Sequence, residues 1–122
     1  FGRSQLLRLA DQASWNKINV VHCGLDAAFG AQAPEQPGAP RRLVCVGRLC
    51  EQKGQLLLIK AARRLRDRGE AFELVLAGDG DMRGELENQI RAHALADVVR
   101  ITGWLSGDQV RDEIRAARAL VL

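Results

Sequence analysis

The side chains with the most evident chemistry lie in the turn G-R-L-C-E-Q-K-G, residues 47–54. Gly47 lets the chain leave a strand with its backbone close to a ligand, and Arg48 offers a rigid fork of hydrogen-bond donors. Lys53 places a point charge just before a predicted helix, whose N-terminus adds about half a positive charge. Backbone, Arg48 and Lys53 can therefore converge on one anion, and the pattern predicts a phosphate or diphosphate as the ligand.

Other interpretations of these residues stay open at this stage. Arg48 and Lys53 are equally compatible with exposed loop charges that have no function. The turn is not a Walker loop, because Lys53 precedes Gly54 and Gln55 stands where Ser or Thr is needed. A dinucleotide fingerprint is matched only loosely, with a second gap one residue too long, by Gly78, Gly80 and Gly84.

The chain has 122 residues, of which 47% are hydrophobic and 27% charged, and its net charge is +3. This composition fits one soluble globular unit and excludes a disordered or collagen-like chain. No apolar run approaches the roughly 18 residues that span a bilayer, so we expect a cytoplasmic protein. The three cysteines lack metal-ligand spacing and are odd in number, so neither structural zinc nor a disulfide framework is expected.

One segment concentrates basic residues, namely Arg63, Arg64, Arg66 and Arg68. Apolar residues at helical spacing predict the inner face of a helix over residues 55–68 and leave these arginines in water; they are Leu57, Leu58, Ala61, Ala62 and Leu65. Elsewhere acidic residues interrupt the basic ones, so nucleic acid is not the expected partner. Binding of nucleic acid through this arginine face stays as a rival, with salt-sensitive affinity that depends on Arg63 and Arg66.

Beyond residue 40, apolar segments alternate with amphipathic ones. The pattern predicts strands over residues 43–46, 72–77, 98–102 and 119–122, and helices over 55–68, 82–95 and 107–117. Strands that are apolar on both faces and alternate with helices indicate an α/β, Rossmann-like parallel sheet with flanking helices. Ser106 and Gln109 predict a capping box at the start of the helix over residues 107–117. Asp81 is predicted to cap the helix over 82–95, and Gly69 is predicted to end the helix over 55–68 in a left-handed conformation.

The first 40 residues follow a different pattern. Apolar spacing predicts a helix over residues 3–13 and a strand over 18–22. Residues 24–40 contain all three prolines among Gly, Ala and Gln, which is typical of a linker. The last four residues resemble a buried strand and the chain does not begin with Met, so we expect a piece of a larger protein. The strand edges that such a piece leaves exposed predict that it associates with itself.

Open parallel sheets bind ligands beyond the carboxyl ends of their strands. The turns in that position are residues 47–54, 78–81 and 103–106. Chemistry should therefore be sought where the cationic turn meets residues of the other two turns, which include Gly78, Gly80, Gly103, Trp104 and Leu105.

Four motifs in register carry a family resemblance. Residues 46–61 resemble V-G-R-L-x-x-x-K-G-x-x-x-L-I-x-A, the signature that opens the C-terminal domain of GT-B glycosyltransferases of family 4, the glycosyl transferases group 1. Residues 21–26, V-H-C-G-L-D, are similar to that family's interdomain I-P-N-G-V-D. L-A-G-D-G at 76–80 and V-R-I-T-G-W at 99–104 resemble its L-x-G-x-G and V-x-F-x-G turns.

The resemblance implies roles for individual residues. Arg48 and Lys53, beside Gly47, match the basic pair that grips the donor diphosphate. The donor cleft is implied at Gly78, Gly80, Gly103, Trp104 and Leu105, with the nucleobase resting on the backbone around the last two. It also implies that residues 1–23 end an N-terminal acceptor domain, that 24–40 form a linker, and that 41–122 begin a C-terminal domain of which this chain holds an incomplete half.

The implied activity is transfer of a sugar, with retention at the anomeric carbon, from a UDP- or GDP-sugar to a glycan or lipid-linked acceptor in polysaccharide or cell-envelope biosynthesis. No cofactor or obligatory metal is implied, and peripheral membrane association of the full-length enzyme is compatible with it. The family's catalytic E-x-x-x-x-x-x-x-E element is expected after Leu122, so the chain alone should be inactive. The alternative is a non-catalytic phosphate- or nucleotide-binding module.

Overall fold

The computed structural model describes residues 2–24 and 41–122. The chain divides into two units, Phe1–Gln32 and Ala33–Leu122. In the first, helix α1 spans Gly2–Leu9, and a 3-10 turn spans Gln12–Lys17. The strand predicted over residues 18–22 is wrong, since residues 18–24 have no regular structure and pair with no strand among the described residues. The predicted linker lies outside the described residues except for Gly24, as do the last two residues of the interdomain motif.

The second unit alternates strands with helices as the sequence predicts. Its elements are β1 (Arg42–Val46), α2 (Gln55–Asp67), β2 (Glu73–Ala77), α3 (Arg83–Ala92), β3 (Val99–Gly103), α4 (Gly107–Ala116) and β4 (Ala119–Val121). A 3-10 turn, Glu51–Lys53, precedes α2. Every strand pairing is parallel, which confirms the predicted α/β, Rossmann-like fold.

The strand order is β3-β2-β1-β4. The chain thus moves outward from β1 to β3 and then returns to the other side of β1, where Val44 pairs with Leu120 of β4. In open α/β sheets, the crevice at such a reversal of strand order is where ligands bind. The topology therefore directs attention to the carboxyl end of β1 and to the turn that begins at Gly47.

The sheet buries apolar side chains on both faces. On one face Cys45, Leu74 and Leu76 pack with Ile59 of α2 and Leu86 of α3. On the other face a smaller cluster forms from residues of β1, β2 and the region of α4, namely Val44, Val75, Ala77, Leu105, Ile114 and Ala117. This two-sided burial explains why β1 and β2 lack the alternation of polar and apolar residues that a one-sided sheet shows.

Helix α2 ends as predicted and α3 does not. Gly69 has φ 72°, and the amide of Glu70 donates to the carbonyl of Leu65 at 3.1 Å. The same motif ends α3, where Ala94 has φ 52° and the amide of Leu95 donates to the carbonyl of Ile90 at 2.9 Å. Because an alanine takes the position that usually holds glycine, the predicted end at residue 95 was three residues too late.

The capping box predicted at α4 is confirmed, since the amide of Gln109 donates to Ser106 Oγ and the amide of Ser106 donates to Gln109 Oε1. The cap predicted at Asp81 is wrong. The residue before α3 is Met82, and no side chain caps the helix. The Asp81 carboxylate instead contacts Arg48.

The arginine face of α2 is exposed, as predicted, although the helix is rotated from the predicted stripe. Its buried side chains are Gln55, Ile59 and Ala62, whereas the side chain of Leu57 is 68% exposed. The two arginines named for nucleic-acid binding are ion-paired within the chain: Arg63 with Asp67 at 2.9 Å, and Arg66 with Asp97.

Candidate functional site

A cavity of about 510 Å³ lies beyond the carboxyl ends of β1, β2 and β3. It is lined by backbone and side chains of all three turns and of α4, namely Val46, Gly47, Arg48, Ala77, Gly78, Asp79, Gly80, Trp104, Leu105 and Val110. Its volume is within the range of pockets that hold small-molecule ligands. The structure thus brings six of the eight residues named from the sequence into one cavity, while Lys53 and Gly103 are outside its lining.

Main-chain contacts hold the first and second turns together. The amide of Gly47 donates to the carbonyl of Ala77, and the amide of Leu49 donates to the carbonyl of Asp79, both at 3.0 Å. A Cβ atom at Gly78 would lie 2.1 Å from the Gly47 carbonyl oxygen, and one at Gly80 would lie 2.3 Å from that of Leu49. These glycines are therefore required by the approach of one backbone to another, whatever they contribute to a ligand.

The third turn is attached to the second. Gly103 is buried, forms an isolated bridge with Gly78, and has φ 76°. The Arg83 guanidinium lies 3.2 Å from the position that a Cβ of Gly103 would occupy, and it donates to Asp79 Oδ2 at 2.8 Å. Gly103 therefore holds the third turn against the second and does not line the cavity.

Asp79 is held as a carboxylate at the rim of the cavity. Its Oδ1 accepts the amide of Gly80 at 2.8 Å, and this bond, followed by the one from Arg83, lowers the pKa of Asp79 below its ordinary value of 3.8. Arg83 in turn contacts Glu87 at 2.9 Å, and both acidic contacts raise the pKa of its guanidinium. Arg83 is shared between Asp79 and Glu87, so it offsets only part of the negative charge beside the cavity.

Arg48 lies at the cavity and is ion-paired. Its Nη2 donates to Asp81 Oδ2 at 2.9 Å, and the two side chains are 66% and 81% exposed. An ion pair of this exposure contributes at most about 1 kcal/mol. A ligand phosphate can therefore compete for the Arg48 guanidinium at little cost.

Lys53 also lies near the end of β1. A Cβ on Gly47 would lie 3.9 Å from Lys53 Cε, which places the side chain next to the residue that precedes Arg48. Its ammonium group also acts on the buried thiol of Cys45, whose pKa is raised by burial and lowered in smaller measure by Lys53. Both cationic side chains thus flank Gly47.

Gln55 was not identified from the sequence as part of this region. It is the one buried polar residue among those the structure describes, with 2% of its surface exposed. Its Nε2 donates to the backbone carbonyl of Arg48 at 2.9 Å. The apolar stripe predicted for this helix did not include Gln55, so no signal in the sequence marked its burial.

Trp104 stands at the edge of the cavity with 85% of its surface exposed, and Leu105 is half-buried between this cavity and a second one. The second cavity, of about 330 Å³, is lined in part by Asp112 and Glu113. Arg42 lies on its wall but is ion-paired with Glu113 and Glu73. This acidic lining does not suit an anion, so the larger cavity is the candidate site.

Within residues 2–24 and 41–122, no group of three or more His, Cys, Asp or Glu side chains is arranged to hold a metal ion. In the same residues, Cys23, Cys45 and Cys50 are free. Among the described helices, none is long and apolar enough to cross a membrane.

Comparison with known proteins agrees with this fold. Residues 29–122 match the family model of the glycosyl transferases group 1. The amylovoran biosynthesis glycosyltransferase AmsK of Erwinia amylovora is 30% identical over 107 residues, which cover 87% of this chain and 26% of that protein. The chain thus spans about a quarter of the length of such curated relatives.

Two solved structures show the same fold. A mutant of S. aureus TarM, crystallised in complex with fondaparinux, alpha-GlcNAc-glycerol and UDP, has a TM-score of 0.66 and 18% identity over 73% of this chain and 18% of its own. The C-terminal domain of the glycosyl transferase group 1 family protein LpcC from Francisella tularensis has a TM-score of 0.62 and 18% identity over 80% of this chain and 57% of its own. On its fold, its motifs and the family match, the chain belongs to the glycosyl transferases group 1.

Proposed function

We propose that this chain supplies part of the donor diphosphate site of a retaining glycosyltransferase that transfers a sugar from a nucleotide-diphosphate donor. The acceptor is a glycan or lipid-linked sugar of a polysaccharide or cell-envelope pathway, which is in keeping with the role named for AmsK. The observation that carries the proposal is the cavity at the carboxyl ends of β1–β3, with Arg48 on its lining and Lys53 beside Gly47.

The proposed chemistry is electrostatic. When the bond between the anomeric carbon and the diphosphate breaks, negative charge grows on the leaving oxygen. Arg48 and Lys53 stabilise that charge, and the N-terminus of α2 adds its partial positive charge immediately after Gly54. Cations fixed before the reaction lower its barrier because they need no reorganisation as the charge develops.

The rest of the nucleotide occupies the apolar part of the cavity. Val46, Leu105 and Val110 line it with the glycine backbone of the second turn. We assign the nucleobase to the backbone around Trp104 and Leu105, beyond the phosphate end marked by Arg48. The UDP bound by TarM supports a uridine nucleotide as the first donor to test.

Isothermal titration calorimetry of the full-length protein with UDP, GDP and ADP tests the diphosphate site. Each charge-assisted hydrogen bond contributes on the order of 1.5–3 kcal/mol, so Arg48→Ala and Lys53→Ala should each weaken binding by about one to two decades. Arg64→Ala removes the same charge from the exposed face of α2 and serves as the control. Equal affinity for the wild type and both site variants would refute the proposed roles.

Turnover separates an enzyme from the rival binding module. Full-length protein that binds UDP but releases none from a panel of UDP-sugars with glycan acceptors would favour the module. Release of UDP, with the sugar recovered on the acceptor in the same anomeric configuration as in the donor, is the result expected here. The Arg48 variant should then lose rate as well as affinity, because the leaving charge is greatest in the transition state.

A further inference from the structure

The buried amide of Gln55 has no packing rationale of its own. Its side chain is enclosed at the start of α2, and while Nε2 donates to the Arg48 carbonyl, Oε1 is buried without a partner. A buried acceptor without a hydrogen bond is destabilising, and an apolar side chain of similar size would avoid that cost. A residue that breaks this rule is expected where function requires it.

The Gln55 bond closes a loop that contains both cations. It joins the first residue of α2 to the carbonyl of Arg48, seven positions earlier, at 2.9 Å. Inside this loop the amide of Lys53 donates to the carbonyl of Cys50 at 3.0 Å, which forms the 3-10 turn. Through Gln55, therefore, the Arg48 end of the loop is fastened directly to the helix that follows Lys53.

We propose that Gln55 is a positioning residue for the diphosphate site, one that fixes the backbone of Arg48 relative to Lys53 and the N-terminus of α2. Gln55 does not line the cavity, so it acts on the ligand only through Arg48. This inference rests on the proposed function as far as the ligand is concerned. Its structural half, that the Gln55 amide orders residues 48–54, does not depend on any ligand.

The first measurement needs no ligand. Gln55→Met keeps the length of the side chain and removes the donor, and Gln55→Leu removes the donor with a shorter apolar side chain. In full-length protein, hydrogen exchange at the bonded amides of Leu49, Lys53 and Gly54 should speed up at least tenfold in both variants, while the amides of β1 and β2 stay protected. Unchanged exchange in residues 49–54 of a folded variant would overturn the inference.

The second measurement is a double-mutant cycle with UDP. Gln55→Met should weaken UDP binding about three- to tenfold in the otherwise wild-type protein, and less than twofold when Arg48 is already Ala. An equal loss in both backgrounds, or no loss in either, would overturn the inference, because Gln55 would then not act through Arg48. Lys60→Met, on the exposed side of α2, controls for nonspecific effects.

The two measurements separate the two hypotheses. If wild-type protein binds no UDP, GDP or ADP, the proposed function fails, and hydrogen exchange still decides whether Gln55 orders the loop. If wild-type protein binds UDP and the cycle shows no coupling, the proposed function stands and the role of Gln55 falls. Should Gln55→Met not fold, Gln55→Leu carries the same comparison.

Discussion

Substitution of Gly80 by alanine tests the interlock of the first two turns. The new Cβ would lie 2.3 Å from the Leu49 carbonyl oxygen, whereas an ordinary contact of carbon with a carbonyl oxygen is about 3.3–3.6 Å. The Leu49 backbone must therefore withdraw by roughly 1 Å. Such a movement breaks or weakens two main-chain bonds, from Leu49 to Asp79 and from Met82 to Leu49.

The magnitude follows from those contacts. Two hydrogen bonds at roughly 0.5–1.5 kcal/mol each, together with disturbed packing of the buried Leu49 side chain, give a loss of about 2–4 kcal/mol in the free energy of unfolding. Gly80 is chosen over Gly78 because its φ is not in the left-handed region, so the clash acts alone. The assay is chemical denaturation followed by far-UV circular dichroism.

A matched control is available four residues later. Gly84 lies in α3, and a Cβ there would meet nothing within 4 Å. Gly84→Ala should therefore stabilise the protein by about 0.5–1 kcal/mol through helix propensity. A Gly80→Ala protein within about 0.5 kcal/mol of the wild type, with Gly84→Ala behaving as expected, would refute the steric reasoning.

Three further outcomes are expected. Asp81→Asn should tighten UDP binding about two- to fivefold in calorimetry, because the phosphate no longer competes with a carboxylate for Arg48. Weaker binding of UDP by this variant would show that Asp81 orients Arg48 instead. Ala94→Gly should raise the free energy of unfolding by about 0.5–1 kcal/mol, since it relieves φ 52°, whereas Ala92→Gly in the helix should lower it. The pKa of the Asp79 carboxyl should lie below 3.8 in an NMR pH titration. Its contribution to the free energy of unfolding is then present above pH 3.8 and is lost as the pH falls through the lowered pKa. Asp79→Asn should therefore reduce the fall of the free energy of unfolding at low pH.

The architecture of residues 42–121 was predictable because the strands are mostly apolar and each helix has an apolar face. Where the prediction failed, a contact distant in sequence decided the outcome. Asp81 is a good helix cap by type, but Arg48, 33 residues earlier, takes its carboxylate. Residues 18–22 are apolar enough for a strand, yet a strand also needs a partner that a local pattern cannot supply.

The candidate site was predictable in part. The spacing of Gly47, Arg48 and Lys53 identified the cationic turn, because the end of a strand and the start of a helix are local features. The buried position of Gln55 was not predictable, since the apolar positions of α2 suggested a different rotation of the helix. That rotation leaves Leu57 exposed and turns the amide toward Arg48, a contact that only the folded chain reveals.

The floor of the cavity is joined by main-chain atoms, at Gly47 with Ala77 and at Leu49 with Asp79. Main-chain bonds do not depend on which side chains the joined residues carry. A lineage that keeps Gly78 and Gly80 can therefore exchange the surrounding side chains and acquire a new ligand preference while the backbone of the two joined turns stays the same.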